Sequence, residues 1–372
     1  MKCKLSDICA FRKGKISVSN LTSKTYISTE NMLPDKGGIT EASSLPTVEL
    51  TQEYKKGDVL VSNIRPYFKK IWQAKFDGGC SNDVLVFQGN SNIDGDFLYY
   101  VLANDDFFAY SMATSKGTKM PRGDKTSIMQ YGVPVFDIYT QRRIASVLRC
   151  LDEKIELNSA INNNLEQQAQ AIYQQMFIDN ARSNWAEGTL SDIADITMGQ
   201  SPSGSSYNED GTGTIFFQGR AEFGFRFPSV RLYTTEPKRM ARSNDTLMSV
   251  RAPVGDLNVA HTDCCIGRGL AAIHSKNNHQ SFVLYTMFSL KKQLDVFNGE
   301  GTVFGSINRN SLNEMPILIP SSEKLDEFEA LVSPMDAAIR NNYDEICRLE
   351  QLRDSLLPQL MSGELDVSDI DL

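Results

Sequence analysis

No apolar run in the 372 residues approaches the ~18 that a membrane-crossing helix needs, so no span is expected. The start, "MKCKLSDICAFRKGK", lacks the apolar stretch of a secretory leader, and none is expected. No GxxxxGK[ST] loop is present to cradle a phosphate, which argues against ATP use by this chain. No CxxC spacing repeats, and seven cysteines is an odd number. That fits reduced thiols in a cytoplasm better than a disulfide framework.

What is present is an ordinary globular composition, 41% hydrophobic and 23% charged, in a chain longer than one core would use. Two domains are the expectation. The net charge of −8 is unevenly spread. Residues 321–372 hold 4 Lys and Arg against 13 Asp and Glu, whereas residues 181–320 balance at 13 each. The blocks before the tail are near neutral and have room for local basic patches.

An internal repeat organises the chain. Shifted by 184, the halves align without a gap from Gly117/Gly301 to Phe177/Met361. Gly117-Thr118 falls on Gly301-Thr302, Leu151-Asp152 on Met335-Asp336, and Leu165-Glu166-Gln167 on Leu349-Glu350-Gln351. Upstream the register drifts, though "LSDICAFRKG" (5–14) still resembles "LSDIADITMG" (190–199), and "DVLVSNIRP" (58–66) resembles "DTLMSVRAP" (245–253). The period is far too long for a solenoid, so this is a duplicated domain. Each block reads as mixed α/β: a strand in "GDVLVSNI" (57–64), helical spacing over 95–112 and 280–297, short extended runs at 131–136 and 315–320, and a loop over 201–214.

Each repeat ends in a helix with a heptad seam. In the first the apolar spacing runs Leu151, Ile155, Asn158, Asn162, Leu165, Ala169, Ile172, Met176. The second gives Met335, Ile339, Asn342, Ile346, Leu349, Arg353, Leu356, Leu360. A polar residue on such a seam costs stability and fixes register. Matched lengths favour the two helices packing on each other rather than each on its own domain. A duplicated unit closing about a pseudo-twofold axis would make them antiparallel. Full overlap then places Asn158 opposite Arg353, Leu165 opposite Ile346, and Ala169 opposite Asn342.

The halves together resemble the specificity subunit of type I restriction-modification systems, over essentially the whole chain. The resemblance is carried by "QRRIASVLRCLDEKIELNSAINNNLEQQAQAIYQQMF" (141–177), "LMSVRAPVGDLNVA" (247–260), "GRGLAAI" (267–273) and "GTVFGSINRNSLNEMPILIP" (301–320). It implies an α+β fold (mixed α/β) with target recognition domains at 1–140 and 181–320. It also implies conserved helices at 141–180 and 321–372 in an antiparallel coiled coil. It implies double-stranded DNA and two methyltransferase (modification) subunits as partners, together with restriction/translocase subunits, and no membrane. The chain itself would be non-catalytic, with S-adenosylmethionine, ATP and Mg2+ used in the partner subunits. One departure is Gln141-Arg142-Arg143-Ile144 becoming Leu325-Asp326-Glu327-Phe328, so the two helix starts are expected to dock partners unequally.

Enzymatic alternatives lack their parts. "SNIRPYF" (62–68) resembles the Asn-Pro-Pro-Tyr motif of adenine methyltransferases, but Ile64-Arg65 replace the first proline and no glycine-rich cofactor loop precedes it. No convincing nuclease cluster of carboxylates and lysine is evident. His261, Cys264 and Cys265 could supply three metal ligands, but no fourth is evident and no metal is expected. The competing function is a duplicated scaffold that gathers partners without reading DNA.

DNA binding needs Lys and Arg for phosphates and Arg, Lys, Asn or Gln for base edges. Block one offers Arg65, Lys69 and Lys70 around Tyr67 and Phe68, and Lys116, Lys119, Arg122 and Lys125 in a glycine-containing loop. Block two offers Arg251 at the place matching Arg65, then Asn308, Arg309 and Asn310, and the cluster Arg220, Arg226 and Arg231. Each seam of 26 residues spans ~39 Å of helix, close to the ~34–36 Å of one B-DNA turn. Half-sites centred about one turn apart are therefore expected, and two unlike blocks imply a non-palindromic site.

Overall fold

The structure, a computed structural model, describes residues 2–182, 184–299 and 305–367; the repeat match at Gly301-Thr302 lies outside them. Two long helices dominate, Ile138–Tyr173 and Ser322–Ser362. Their first residues are separated by the repeat offset of 184. The first helix is fixed at its start by Asp137, whose carboxylate accepts from the Thr140 amide at 2.9 Å and from its hydroxyl at 3.0 Å. A π-helical turn, Gln174–Asp179, ends it. All sixteen seam positions are buried or half-buried.

The chain divides into two compact units, Met1–Leu157 with Glu345–Leu372, and Asn158–Asp344. The divisions fall inside the long helices rather than near 140, 180 and 320, so each helix supplies a segment to each unit.

In the first unit, strands Cys9–Phe11, Val84–Gly89, Val59–Ser62 and Ile71–Gln73 form an antiparallel sheet in that order. A second sheet runs Lys15–Ser17, Leu50–Tyr54, Gly78–Cys80, Tyr26–Ile27, with its last pair parallel. The expected helix over 95–112 is two, Gly95–Ala103 and Asp105–Ala113. Asn104 is extended at the break, and its side chain caps the second by accepting from the Asp106 amide. Ile144, Leu148, Leu357 and Leu360 bury against Phe97 and Val101 of this unit. Arg143 Nε donates to Val367 O and Arg353 pairs with Asp152, so these helical segments run antiparallel.

In the second unit, Ala194–Met198, Leu270–Ser275, Thr246–Ser249 and Leu257–Val259 repeat the first sheet. A five-stranded sheet runs Tyr207–Asn208, Leu232–Thr234, Thr214–Phe217, Cys264–Ile266, Met240–Ala241, again with one parallel pair. Phe328 is fully buried among Tyr173, Phe177, Phe282 and Tyr285. Truncating such a ring costs about 3–5 kcal/mol. Asn342 Nδ2 donates to Asn162 Oδ1 at 2.8 Å, while Phe328 meets Tyr173, so here too the segments are antiparallel.

The register differs from full overlap. Asn162, not Ala169, faces Asn342, a shift of seven residues or one heptad. Arg353 pairs with Asp152 at 2.9 Å rather than with Asn158. The slipped register gives Arg353 a carboxylate and gives Asn342 an amide oxygen, where full overlap would have offered it the methyl of Ala169.

Candidate nucleic-acid interface

The sequence-derived cationic loops of the first unit converge. Strand Val59–Ser62 runs out into Asn63-Ile64-Arg65, and three contacts tie this junction to the loop over 116–123. Ile64 bridges Arg122, Arg65 N donates to Pro121 O at 2.8 Å, and Gly123 N donates to Asn63 O at 3.1 Å. A Cβ at Gly123 would meet the side-chain ends of Asn63 and Ile128 at 2.8 Å, so the loop packs closely here. Asn63 N also donates to Asp83 O at 2.8 Å, which joins the three-residue turn 81–83 to the same face.

The second unit repeats this backbone arrangement with other side chains. Arg251 bridges Ser306, Ala252 N donates to Gly305 O at 3.0 Å, and Ile307 N donates to Val250 O at 3.1 Å. Val250 N donates to Gly269 O at 2.9 Å, so the turn 267–269 corresponds to 81–83. Arg251 thus occupies the place of Ile64, and Ala252 that of Arg65, as the alignment of 58–66 with 245–253 has it, so Arg251 is not the counterpart of Arg65.

Most of the nominated cations are exposed. Arg65 sits in the left-handed region (φ 49°) ahead of Pro66–Phe68, where Tyr67 and Phe68 are also exposed. Lys116 pairs with Asp124 at 2.8 Å, Arg122 with Asp83 at 3.2 Å, and Lys69 with Asp105 at 2.8 Å. Exposed pairs of this kind are worth about 0–1 kcal/mol, and phosphate can displace the carboxylate. Lys119 is exposed, and Lys125 is exposed with its Nζ 5.9 Å from the Phe11 ring centre. Arg309, at the repeat position of Lys125, is exposed, as are Asn310 and Arg251. Arg220 pairs with Asp256, and Arg231 with Glu222 at 3.0 Å and Glu209 at 3.6 Å. Asp124 caps the helix Lys125–Ile128 by accepting from the Ser127 amide, and with Lys116 beside it its carboxyl is held down at about 2.

One nomination, Arg226, needs correction, and two others have partly committed side chains. Arg226 is 4% exposed, with its guanidinium 3.1 Å from Glu166 and 3.3 Å from Asp336, and it donates to Tyr285 Oη at 3.1 Å. It is a buried ionic staple and cannot reach a phosphate. Lys70 is half-buried and its Nζ donates to Thr29 O at 2.7 Å; burial pulls its pKa down. Asn308 spends its side-chain oxygen on the Ser311 amide at 2.9 Å, capping Arg309–Asn313 as Asp124 does in the other unit.

The candidate metal ligands have other occupations. Cys264 and Cys265 are buried in a strand, and burial pushes the Cys264 thiol up to about 12. His261 Nε2 lies 2.7 Å from Asp344. Among the described residues, no helix is long and apolar enough to cross a membrane.

The family model for the type I restriction modification DNA specificity domain matches residues 1–167 and 182–350. A Methanocaldococcus jannaschii protein, assigned as the MjaX type I restriction enzyme specificity subunit, is 28% identical over 310 residues, covering 77% of this chain and 72% of that one. The HindI specificity subunit of Haemophilus influenzae is 22% identical over 97% of this chain and 98% of its own. The crystal structure of a type I S subunit from M. genitalium shares the fold, with a TM-score of 0.62 at 16% identity over 97% of this chain and 96% of that one. Specificity subunits are non-catalytic DNA-recognition subunits that assemble with modification and restriction subunits, so the scaffold reading is not favoured. With a family match over most of its length and the same fold in each half, this chain belongs to the type I restriction-modification DNA specificity subunits.

Proposed function

We propose that this subunit recognises a bipartite, asymmetric DNA sequence, one half read by each unit. The observation that carries this is the duplicated face. The same strand-end junction, turn and loop are joined by the same backbone hydrogen bonds in both units, yet carry different polar side chains. A conserved frame holding unlike side chains is what two readers of unlike half-sites require. Arg65, Lys116, Lys119, Arg122 and Lys125 serve the first face, and Arg220, Arg251, Arg309 and Asn310 the second. Faces of the long helices outside the seam carry two methyltransferase subunits, one per repeat, and restriction subunits join them. S-adenosylmethionine, ATP and Mg2+ act in those partners. A gel shift of the chain with its methyltransferase partner on pooled genomic DNA tests the reading. Enrichment of one split sequence supports it, and binding without sequence preference refutes it. Mass measurement of the complex should give two methyltransferase subunits per chain.

A further inference from the structure

The turn between the parallel-paired strand of the second sheet and the central strand of the first is a hub in each unit. Residues 81–83 receive Asn63 N on Asp83 O, and Ser81 N donates to Ile27 O at 2.8 Å. Residues 267–269 receive Val250 N on Gly269 O, and Gly267 N donates to Phe217 O at 2.8 Å. The stretches bearing Arg65 and Arg122 therefore adjoin the first turn, and those bearing Arg220 and Arg251 adjoin the second.

Among the described residues, only the middle residue of each turn has a side chain with no hydrogen bond or ion pair. In the first, Ser81 Oγ accepts from the Asp83 amide at 3.3 Å and Asp83 takes the ion pair with Arg122; Asn82 is exposed. In the second, Arg268 is flanked by Gly267 and Gly269. A Cβ added at either would stand 2.8 or 2.9 Å from Gln218 O, and a Cβ on neighbouring Gly199 would stand 2.1 Å from Gly267 O. The turn is thus pressed onto two other backbone stretches, and Arg268 carries its one side chain. That side chain is exposed and has no ion pair among the described residues. A long polar group on a short braced turn loses little further backbone freedom on binding.

We propose that this mid-turn position reads a base in the major groove: Arg268 takes the O6/N7 edge of a guanine in one half-site, and Asn82 the N6/N7 edge of an adenine in the other. Arginine and asparagine are the side chains whose paired polar atoms match those two edges. The proposal rests on the DNA-reading function above.

The test uses the full chain in complex with its methyltransferase subunit, selecting from a randomised duplex library at two salt concentrations. Wild type, Arg268→Lys, Arg268→Ala and Asn82→Ala are compared. Arg268→Lys keeps the charge but loses the planar fork. It should lose roughly 5- to 150-fold of its preference for guanine at one position, with salt dependence retained. Asn82→Ala should lose preference for adenine at one position of the other half-site. In each variant the untouched half-site reports that the subunit is folded. If Arg268→Lys keeps full guanine preference, or Arg268→Ala weakens all sequences equally and lowers the salt slope by about one, the residue contacts phosphate and the proposal fails. Unchanged selection by all the variants also overturns it. A wild-type complex with no sequence preference sinks the DNA-reading function itself, a separate result.

Discussion

Arg353 Nη1 lies 2.9 Å from Asp152 Oδ1, and the second unit has built the same contact from a different part of the chain. At the repeat offset, Asp152 matches Asp336, whose guanidinium partner is Arg226 at 3.3 Å. Tyr100 donates to Asp152 at 2.7 Å and Tyr285 to Asp336 at 2.9 Å. Glu350 matches Glu166, and burial raises the pKa of both. The seam position of Arg353 is Ala169 in the other repeat, fully buried. One repeat takes its arginine from the long helix, and the other from the loop before Leu232–Thr234.

Removing Arg353 should weaken two contacts, the one with Asp152 and the one with the exposed Asp354, also at 2.9 Å. Its side chain and that of Asp152 are 17% and 20% exposed, so the bond is sheltered but not dry. Arg353→Ala should cost about 2 kcal/mol of unfolding free energy. The double variant Asp152→Asn, Arg353→Leu should recover most of it, as read by urea denaturation.

Arg226→Ala should cost more, about 3–5 kcal/mol, because two half-buried carboxylates lose a counter-ion that is itself 4% exposed. It should also acquire a pH dependence. Burial raises the Glu166 pKa, Arg226 opposes the rise and Asp336 adds to it. Without Arg226 the folded-state pKa climbs further above the unfolded value. Such a carboxyl holds its proton more tightly when folded, so its contribution is most favourable below the unfolded pKa and is lost as pH rises through the folded one. The penalty should shrink as pH falls from about 7 toward about 5. A penalty constant over that range would contradict the buried-staple account.

The Asn162–Asn342 pair should behave as a specifier rather than a stabiliser. Asn342→Leu alone should cost about 1–2 kcal/mol by leaving the Asn162 oxygen unpaired. Replacing both with leucine should be near neutral or stabilising, with loss of a unique register seen as broadened helix resonances.

Asp124 lies beside the face proposed to read the first half-site. Its carboxyl, held at about 2 by Lys116 and Ser127, sits below the ordinary 3.8. A depressed folded pKa stabilises above the unfolded value and is lost as pH falls through the folded one. Hydrogen-exchange protection over residues 116–128, relative to the intrinsic amide rate, should fall between about pH 4 and about pH 2. Asp124→Asn should remove that transition.

The duplication, the heptad seam and the basic loops were legible because they are local or periodic. The offset of 184 reappears in the starts of the two long helices and of the short helices at Lys125 and Arg309. The helix register was not legible, since a heptad pattern maps onto itself when slid by seven residues. Arg226 was misread because a cation among aromatics looks the same whether it meets phosphate or two distant carboxylates. The mid-turn positions were missed because Ser81-Asn82-Asp83 and Gly267-Arg268-Gly269 share no residue, and their equivalence appears only through strand pairing.

The most direct test of the central claim is the methylation motif of a host carrying the complex after residues 181–320 are replaced by the corresponding block of another specificity subunit. Long-read mapping should show one half of the split site changed and the other intact, with the converse after replacing residues 1–140. If both halves change together, or the native site proves to be one unbroken run, two separate readers do not exist and the account is wrong.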